Sequence, residues 1–297
     1  MTPATEEKRK QFLQFIEQVL VPETAVIGVV GIGSIATGHA RPDSDIDAVI
    51  FLDPFDYYIV PAEAIWHPAT DTFFSIFTGN ETVQKEGMQI DFLRINYQQW
   101  AKDDFAWPEG HKAEISAGWL AYDKDGKTAS LIAQKTAYNE DERIHRLDEA
   151  IIWLDQHLST NPQKMWQSFG PAIAMDRLEA AYVYLVQALF ALNRRWQPWR
   201  NREMQHLMAL PWLPDNFGER VLAAANASSL DFDGFEKRAK ALKSLFNDIL
   251  SRLIDQGDYS PTPVDQAFLR SHEEPGRAWN IEEWNKFRQV RKLSLNE

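Results

Sequence analysis

The sequence predicts an α+β protein in two parts: a small sheet-bearing domain over residues 1–140, and an α-helical bundle with a polar C-terminal tail over residues 141–297. Three observations support this. Up to Tyr122 the apolar residues fall in short, strand-length runs punctuated by glycine and proline, whereas from about Ile144 they recur at helical spacing. A chain of 297 residues is long enough for two cores. The acidic excess sits mostly in the first part: residues 1–140 hold 11 Lys and Arg against 21 Asp and Glu, and residues 141–297 hold 20 against 22.

Along the chain, Phe12, Phe15, Ile16, Val19 and Leu20 share one face of an amphipathic helix over Lys8–Leu20, which Pro22 ends. Ala25–Val30 is apolar throughout, as in a strand covered on both faces. Ser34–His39 has room only for a short helix before Gly38 and Pro42. Asp45–Leu52 alternates and then turns wholly apolar, a second strand closed by Asp53-Pro54. Residues 54–70 show no decisive period. Phe73–Phe77 and Met88–Ile95 read as strands, with turns at Gly79-Asn80 and Lys85-Glu86-Gly87 between them. Ala117–Tyr122 reads as the last strand. Asp123-Lys124-Asp125-Gly126 is a turn, its glycine too early for a calcium-binding loop. Helices are expected over Glu142–Leu158, Asp176–Arg195, Arg202–Leu210 and Phe235–Asp255, and residues 257–297 read as a docked polar tail.

A formal net charge of −12 argues against a DNA or RNA partner, because phosphate backbones need basic surface. An acidic first half suits bound metal ions and a cationic partner instead. The absence of cysteine removes disulfides and thiolate metal sites. No apolar signal core follows the charged N-terminus and no apolar run approaches membrane-spanning length, so a soluble cytoplasmic protein with no membrane partner is expected.

The stretch VIGVVGIGSIATG, Val26 to Gly38, poses the main question. Gly31, Gly33 and Ala36 spell the G-x-G-x-x-A of a dinucleotide-binding turn, and Asp53 follows about 20 residues later. That fold needs a full crossover helix after the glycines, yet Gly38 and Pro42 interrupt the short segment that follows. Asp45 and Asp47 then stand where apolar residues are needed. What remains is Gly33-Ser34, a gap of ten residues, and Asp45-Ile46-Asp47. Side chains at i and i+2 of a strand share a face, and two carboxylates side by side repel unless a divalent cation neutralises them. Hard oxygen donors suit Mg²⁺. Gly33 lets backbone approach a phosphate, Ser34 offers a hydroxyl, and the helix starting there presents free N–H groups. Together these residues describe a site for a metal-bound triphosphate.

Gly33-Ser34 through Asp45-Ile46-Asp47 resembles the signature of the polymerase-β-like nucleotidyltransferase superfamily, a G-S turn followed by D-h-D on a strand. The layout is similar to that of the aminoglycoside nucleotidyltransferases and related uncharacterised bacterial nucleotidyltransferases. The resemblance implies a mixed sheet carrying a third carboxylate, matched here by Asp91 in MQIDFLRI, with Ile90 and Phe92 on the opposite face. It implies two Mg²⁺ ions held by Asp45, Asp47 and Asp91, ATP as substrate, and attack of an acceptor hydroxyl on the α-phosphorus with loss of pyrophosphate. Asp91 would complete the metal shell or act as the base. Ser34 and the Gly33 backbone would hold the β- and γ-phosphates.

The stretch NRRWQPWRNRE in the helical half offers Arg194, Arg195, Arg200 and Arg202 as cations. The resemblance places Arg202, with Arg195, on the nucleotide. Alternatively, Arg194 and Arg195 complement the C-terminal dipole of their own helix. Trp196 and Trp199 could stack on a ring or fill the core. Asp176 and Glu179 could face an amine-rich acceptor, or Asp176 could mark a helix N-terminus.

The function expected is transfer of a nucleoside monophosphate, AMP in first place, from NTP to a hydroxyl of a small polar acceptor, with a cationic aminoglycoside-type antibiotic as the specific version. The alternatives are a protein-modifying nucleotidyltransferase of the toxin–antitoxin kind and a non-catalytic NTP-binding module. The charge argues against a template-directed polymerase.

Overall fold

The structure, a computed structural model, describes residues 1–272 and 281–294. Its contacts divide into two compact units, Met1–Ala137 and Tyr138–Glu297.

The first unit is built on a six-stranded mixed sheet in the order β4-β3-β5-β2-β1-β6, with β1 Val26–Gly31, β2 Ile46–Leu52, β3 Glu63–His67, β4 Thr72–Phe74, β5 Met88–Asn96 and β6 Trp119–Asp123. Only β2 and β5 run parallel; the other neighbours are antiparallel. Every residue of β1 is buried, as its unbroken apolar run requires. Helix α1, Pro3–Phe15, continues through one π-type turn, Ile16–Leu20. It begins five residues before the expected Lys8, because Thr2 caps it and Pro3 suits the first helical position. Its apolar stripe of Phe12, Phe15, Ile16 and Leu20 packs with Ile46, Ala48, Ile50, Ile90 and Phe92 in one core.

Several elements differ from expectation. The unassigned residues 54–70 contain β3, whose core-forming segment is only Ala64, Ile65 and Trp66. The expected strand Phe73–Phe77 shrinks to Thr72–Phe74, and Phe77 is exposed. Gly79-Asn80 does not turn directly into a strand. Asn80 accepts from the Thr82 and Val83 N–H groups at 3.0 and 3.3 Å and starts helix α3, Glu81–Glu86. Three further helices, α4 Tyr97–Trp100, α5 Glu109–Ser116 and α6 Lys127–Lys135, occupy stretches to which the sequence assigned no element; α2, Gly33–Thr37, is the short helix after β1. The Asp123 carboxylate, at the turn before α6, accepts from the Thr128 and Ala129 N–H groups.

The second unit is helical: α7 Glu140–Leu158, α8 Pro162–Leu192, α9 Arg200–Met208, α10 Phe217–Ala225, α11 Phe232–Asp255, α12 Pro263–His272 and α13 Ile281–Ser294. Its core draws on Leu147, Leu154, Leu185, Leu189, Leu242 and Ile249. Helix α8 starts at Pro162, well before the expected Asp176, with a break at Gly170, whose φ of +79° interrupts the helical run before Pro171. Asp176 therefore does not mark a helix start. The expected docked tail carries helices of its own. Residues 263–272 form α12, with Ala267 and Phe268 buried, and residues 281–294 form α13; the parts of that tail at 273–280 and 295–297 lie outside the described residues. Docking of this segment is polar as well as apolar: buried Asp148 accepts from Tyr259 Oη at 2.6 Å and from two nitrogens of Arg270 at 2.9 and 2.7 Å. Among the described residues no helix is long and apolar enough to cross a membrane.

Candidate active site

The glycine turn and the carboxylate strand are joined through the backbone. Ile32, between β1 and α2, donates its N–H to the Asp47 carbonyl at 2.9 Å. Gly33 follows with φ +62°, in the left-handed region that a side chain disfavours. Helix α2 is a single turn, ended by Gly38 at φ +82°, and the Ser34 carbonyl accepts from the N–H groups of Gly38 and His39. Gly33 and Ser34 are both half-buried at the end of β1, beside the first residues of β2.

Strand β2 starts at Ile46, so Asp45 occupies the position just before the strand rather than its first residue. The approach is fixed by a turn in which Ser44 Oγ accepts from the Arg41 N–H at 3.0 Å. Asp47 lies half-buried between buried Ile46 and Ala48. Its register partner on the parallel strand β5 is Asp91. Along β5 the burial alternates, with Met88, Ile90 and Phe92 in the core and Asp91 exposed. Register partners project to one face, with strands about 4.8 Å apart, so the Asp47 and Asp91 carboxylates are neighbours. On its other side Asp91 pairs with Glu63, the exposed first residue of β3. Asp47, Asp91 and Glu63 thus form an acidic row over three strands, and like charges placed opposite one another repel. Glu63 was invisible in the sequence because β3 itself was unassigned. Lys8 of α1 also feels the site: burial pushes its ammonium below the usual lysine range, while Asp45 and Asp43 pull it back up.

Among the described residues no group of three or more His, Cys, Asp or Glu side chains is arranged as a preformed metal cage. The donor set nevertheless fits Mg²⁺, which keeps several waters and binds through one or two carboxylates plus substrate phosphates. Asp47 and Asp91 supply two adjacent hard oxygen donors, with Asp45 next to them in sequence.

Residues 8–104 match the model of the nucleotidyltransferase domain. The N-terminal unit is a nucleotidyltransferase domain of the polymerase-β-like superfamily. The protein is accordingly a transferase, and the matched span holds Gly33, Ser34, Asp45, Asp47 and Asp91. The chain is also similar to a solved nucleotidyltransferase-like protein from Exiguobacterium sibiricum 255-15, at 10% identity and a TM-score of 0.41, over 90% of this chain and 81% of the other. No curated protein matches the sequence.

The arginines of the helical unit are placed as follows. Arg194 donates to Glu140 at 2.6 Å, and Glu140 also receives Arg143; these two arginines hold the Glu140 carboxyl below the usual range. Arg195 is exposed in the loop after α8. Arg200 contacts Glu203 at 3.2 Å and Glu179 at 3.4 Å and lies over the Tyr182 ring. Arg202, half-buried in the first turn of α9, lies 5.9 Å over Trp199. Glu179, weighed as an amine-reading acid, is bound by Arg238 at 2.7 Å as well as by Arg200. Trp196 is buried against Tyr138, the core alternative of its two readings.

Proposed function

We propose that this nucleotidyltransferase transfers a nucleoside monophosphate, AMP in first place, from a Mg²⁺-bound NTP to a hydroxyl of a small polar acceptor in the cytoplasm, releasing pyrophosphate. The observation that carries the reading is the register pairing of Asp47 with Asp91 beside the Gly33-Ser34 turn. Asp45, Asp47 and Asp91 hold the metal, two ions in the full site; bound there, the metal neutralises charge on the attacking and leaving oxygens of an in-line displacement. The Ser34 hydroxyl and the open backbone at Gly33 bind the β- and γ-phosphates. Asp91, the more exposed of the paired carboxylates, either completes the metal shell or takes the proton of the acceptor hydroxyl. A cationic, aminoglycoside-type acceptor suits the acidic face made by Asp91 and Glu63.

The test is pyrophosphate release from ATP and GTP with Mg²⁺ across a panel of aminoglycosides and lincosamides. Turnover with one class, lost in Asp47→Asn, supports the proposal. No turnover with any member removes the antibiotic acceptor, and failure to bind Mg·NTP at all removes the phosphate-site assignment.

A further inference from the structure

The first helix does more than cover the sheet. Arg9 of α1 donates Nε to the Ile35 carbonyl at 2.9 Å and Nη2 to the Ala36 carbonyl at 3.0 Å, across 26 and 27 residues of chain. Those carbonyls belong to α2, a single turn that cannot hold itself by propagation. The guanidinium lies 4.6 Å over the ring of Trp119, and Trp119 pairs with Gly31 at the end of β1. The same helix grips the other end of the motif. The Thr2 N–H donates to the Gly38 carbonyl at 2.9 Å, Thr2 Oγ1 donates to the Ala40 carbonyl at 2.8 Å, and the Ala40 N–H donates to Thr5 Oγ1 at 2.9 Å. A planar guanidinium with two parallel N–H groups suits two successive carbonyls in a way an ammonium does not.

We propose that Arg9 is a positioning residue for the triphosphate: stacked on Trp119 and holding the carbonyls of Ile35 and Ala36, it fixes the Gly33-Ser34 turn in the conformation that receives phosphate. This rests on the phosphate-site reading above. Arg9 binds α2 at Ile35 and Ala36 rather than at the Gly33-Ser34 turn itself, and acts through backbone.

The experiment titrates full-length protein with Mg·ATP, Mg·tripolyphosphate and AMP by calorimetry, alongside thermal melting. Arg9→Ala weakens Mg·ATP and Mg·tripolyphosphate by about tenfold each, from the loss of two charge-assisted bonds, and leaves AMP within about twofold. Arg9→Lys recovers only part of that loss. Phosphate affinities in Arg9→Ala within twofold of wild type overturn the role, as does equal weakening of AMP, which marks general unfolding. Should Arg9→Ala not fold, Trp119→Leu removes the stacking beneath the guanidinium and weakens tripolyphosphate by about threefold; no change there overturns the role equally. Wild-type protein that binds neither Mg·ATP nor tripolyphosphate refutes the phosphate site, and the Arg9 role with it, whereas wild-type binding retained in Arg9→Ala refutes Arg9 alone.

Discussion

Gly33→Ala isolates the conformational demand of the phosphate turn. Gly33 has φ +62°, and an L-residue held there costs about 1–2 kcal/mol. The Arg9 bonds grip α2 at Ile35 and Ala36, two and three residues beyond Gly33, so the alanine variant relieves its strain at position 33 alone by leaving the left-handed region, and ligand binding must reimpose it. The full cost then falls on binding, and Mg·ATP affinity drops by about 5- to 30-fold with little change in melting temperature. Gly38→Ala is the control. Its φ is +82° and an added Cβ would sit 3.4 Å from Met1 Cα, but it lies at the opposite end of α2. It is expected to cost similar strain with a smaller effect on binding. Calorimetric titration with a non-hydrolysable ATP analogue, paired with thermal melts, separates the two. A lowered melting temperature with unchanged affinity in Gly33→Ala would refute the reasoning, because it would show position 33 held in the left-handed region with or without ligand.

Asp47→Asn keeps the shape of the side chain and removes its charge. Pyrophosphate release should fall by at least about 100-fold with the melt preserved, since metal-borne charge stabilisation is worth several kcal/mol. Asp148→Ala strips the buried Tyr259 hydroxyl of its acceptor, while Arg270, partly exposed, regains water. About 2 kcal/mol should be lost, seen by calorimetry as a shift of about 4–8 °C in the transition of the helical unit. His157 forms a three-ring cluster with Trp153 and Tyr184, and burial first, then Arg177, hold its pKa below the ordinary histidine value, against a smaller opposite pull from Asp176. The unfolded chain therefore binds the proton more readily, and stability falls as pH drops below about 6.5. Denaturant melts of His157→Phe between pH 5 and 7 should show a shallower slope than wild type; an unchanged slope would assign it to other groups.

The sequence carried much of the sheet and the order of its motifs, because both are written in local pattern. The unbroken apolar run of β1 and the alternation of Met88–Phe92 each state which faces are covered. What was lost depended on tertiary context. Strand β3 has only a three-residue apolar segment, and its place is set by pairing with β5 rather than by its own period. Glu63 went unseen with it. Asn80, read as a turn residue, is a helix cap, since the same side chain serves both ends. In the helical unit, four arginines in nine residues look alike in sequence, yet Arg194 and Arg200 are tied to glutamates that lie far away along the chain. The dinucleotide spelling of Gly31, Gly33 and Ala36 misleads for the same reason: the chain around it, not the glycines, decides the ligand.

The pairing of Asp47 with Asp91 is maintained from the side of the sheet that no substrate reaches. Ile90 and Phe92 are locked beneath the first helix, and a slip of one residue would expose them and drive Asp91 into an apolar interior. The alignment of two carboxylates is therefore enforced by the oily underside of the strand, and its tolerance is that of the core. Substitutions at Ile90 or Phe92 belong among the inactivating changes, although neither side chain faces the reaction. Chain added in the loop between Phe74 and Glu81, by contrast, can vary in length without altering how the two strands index against each other.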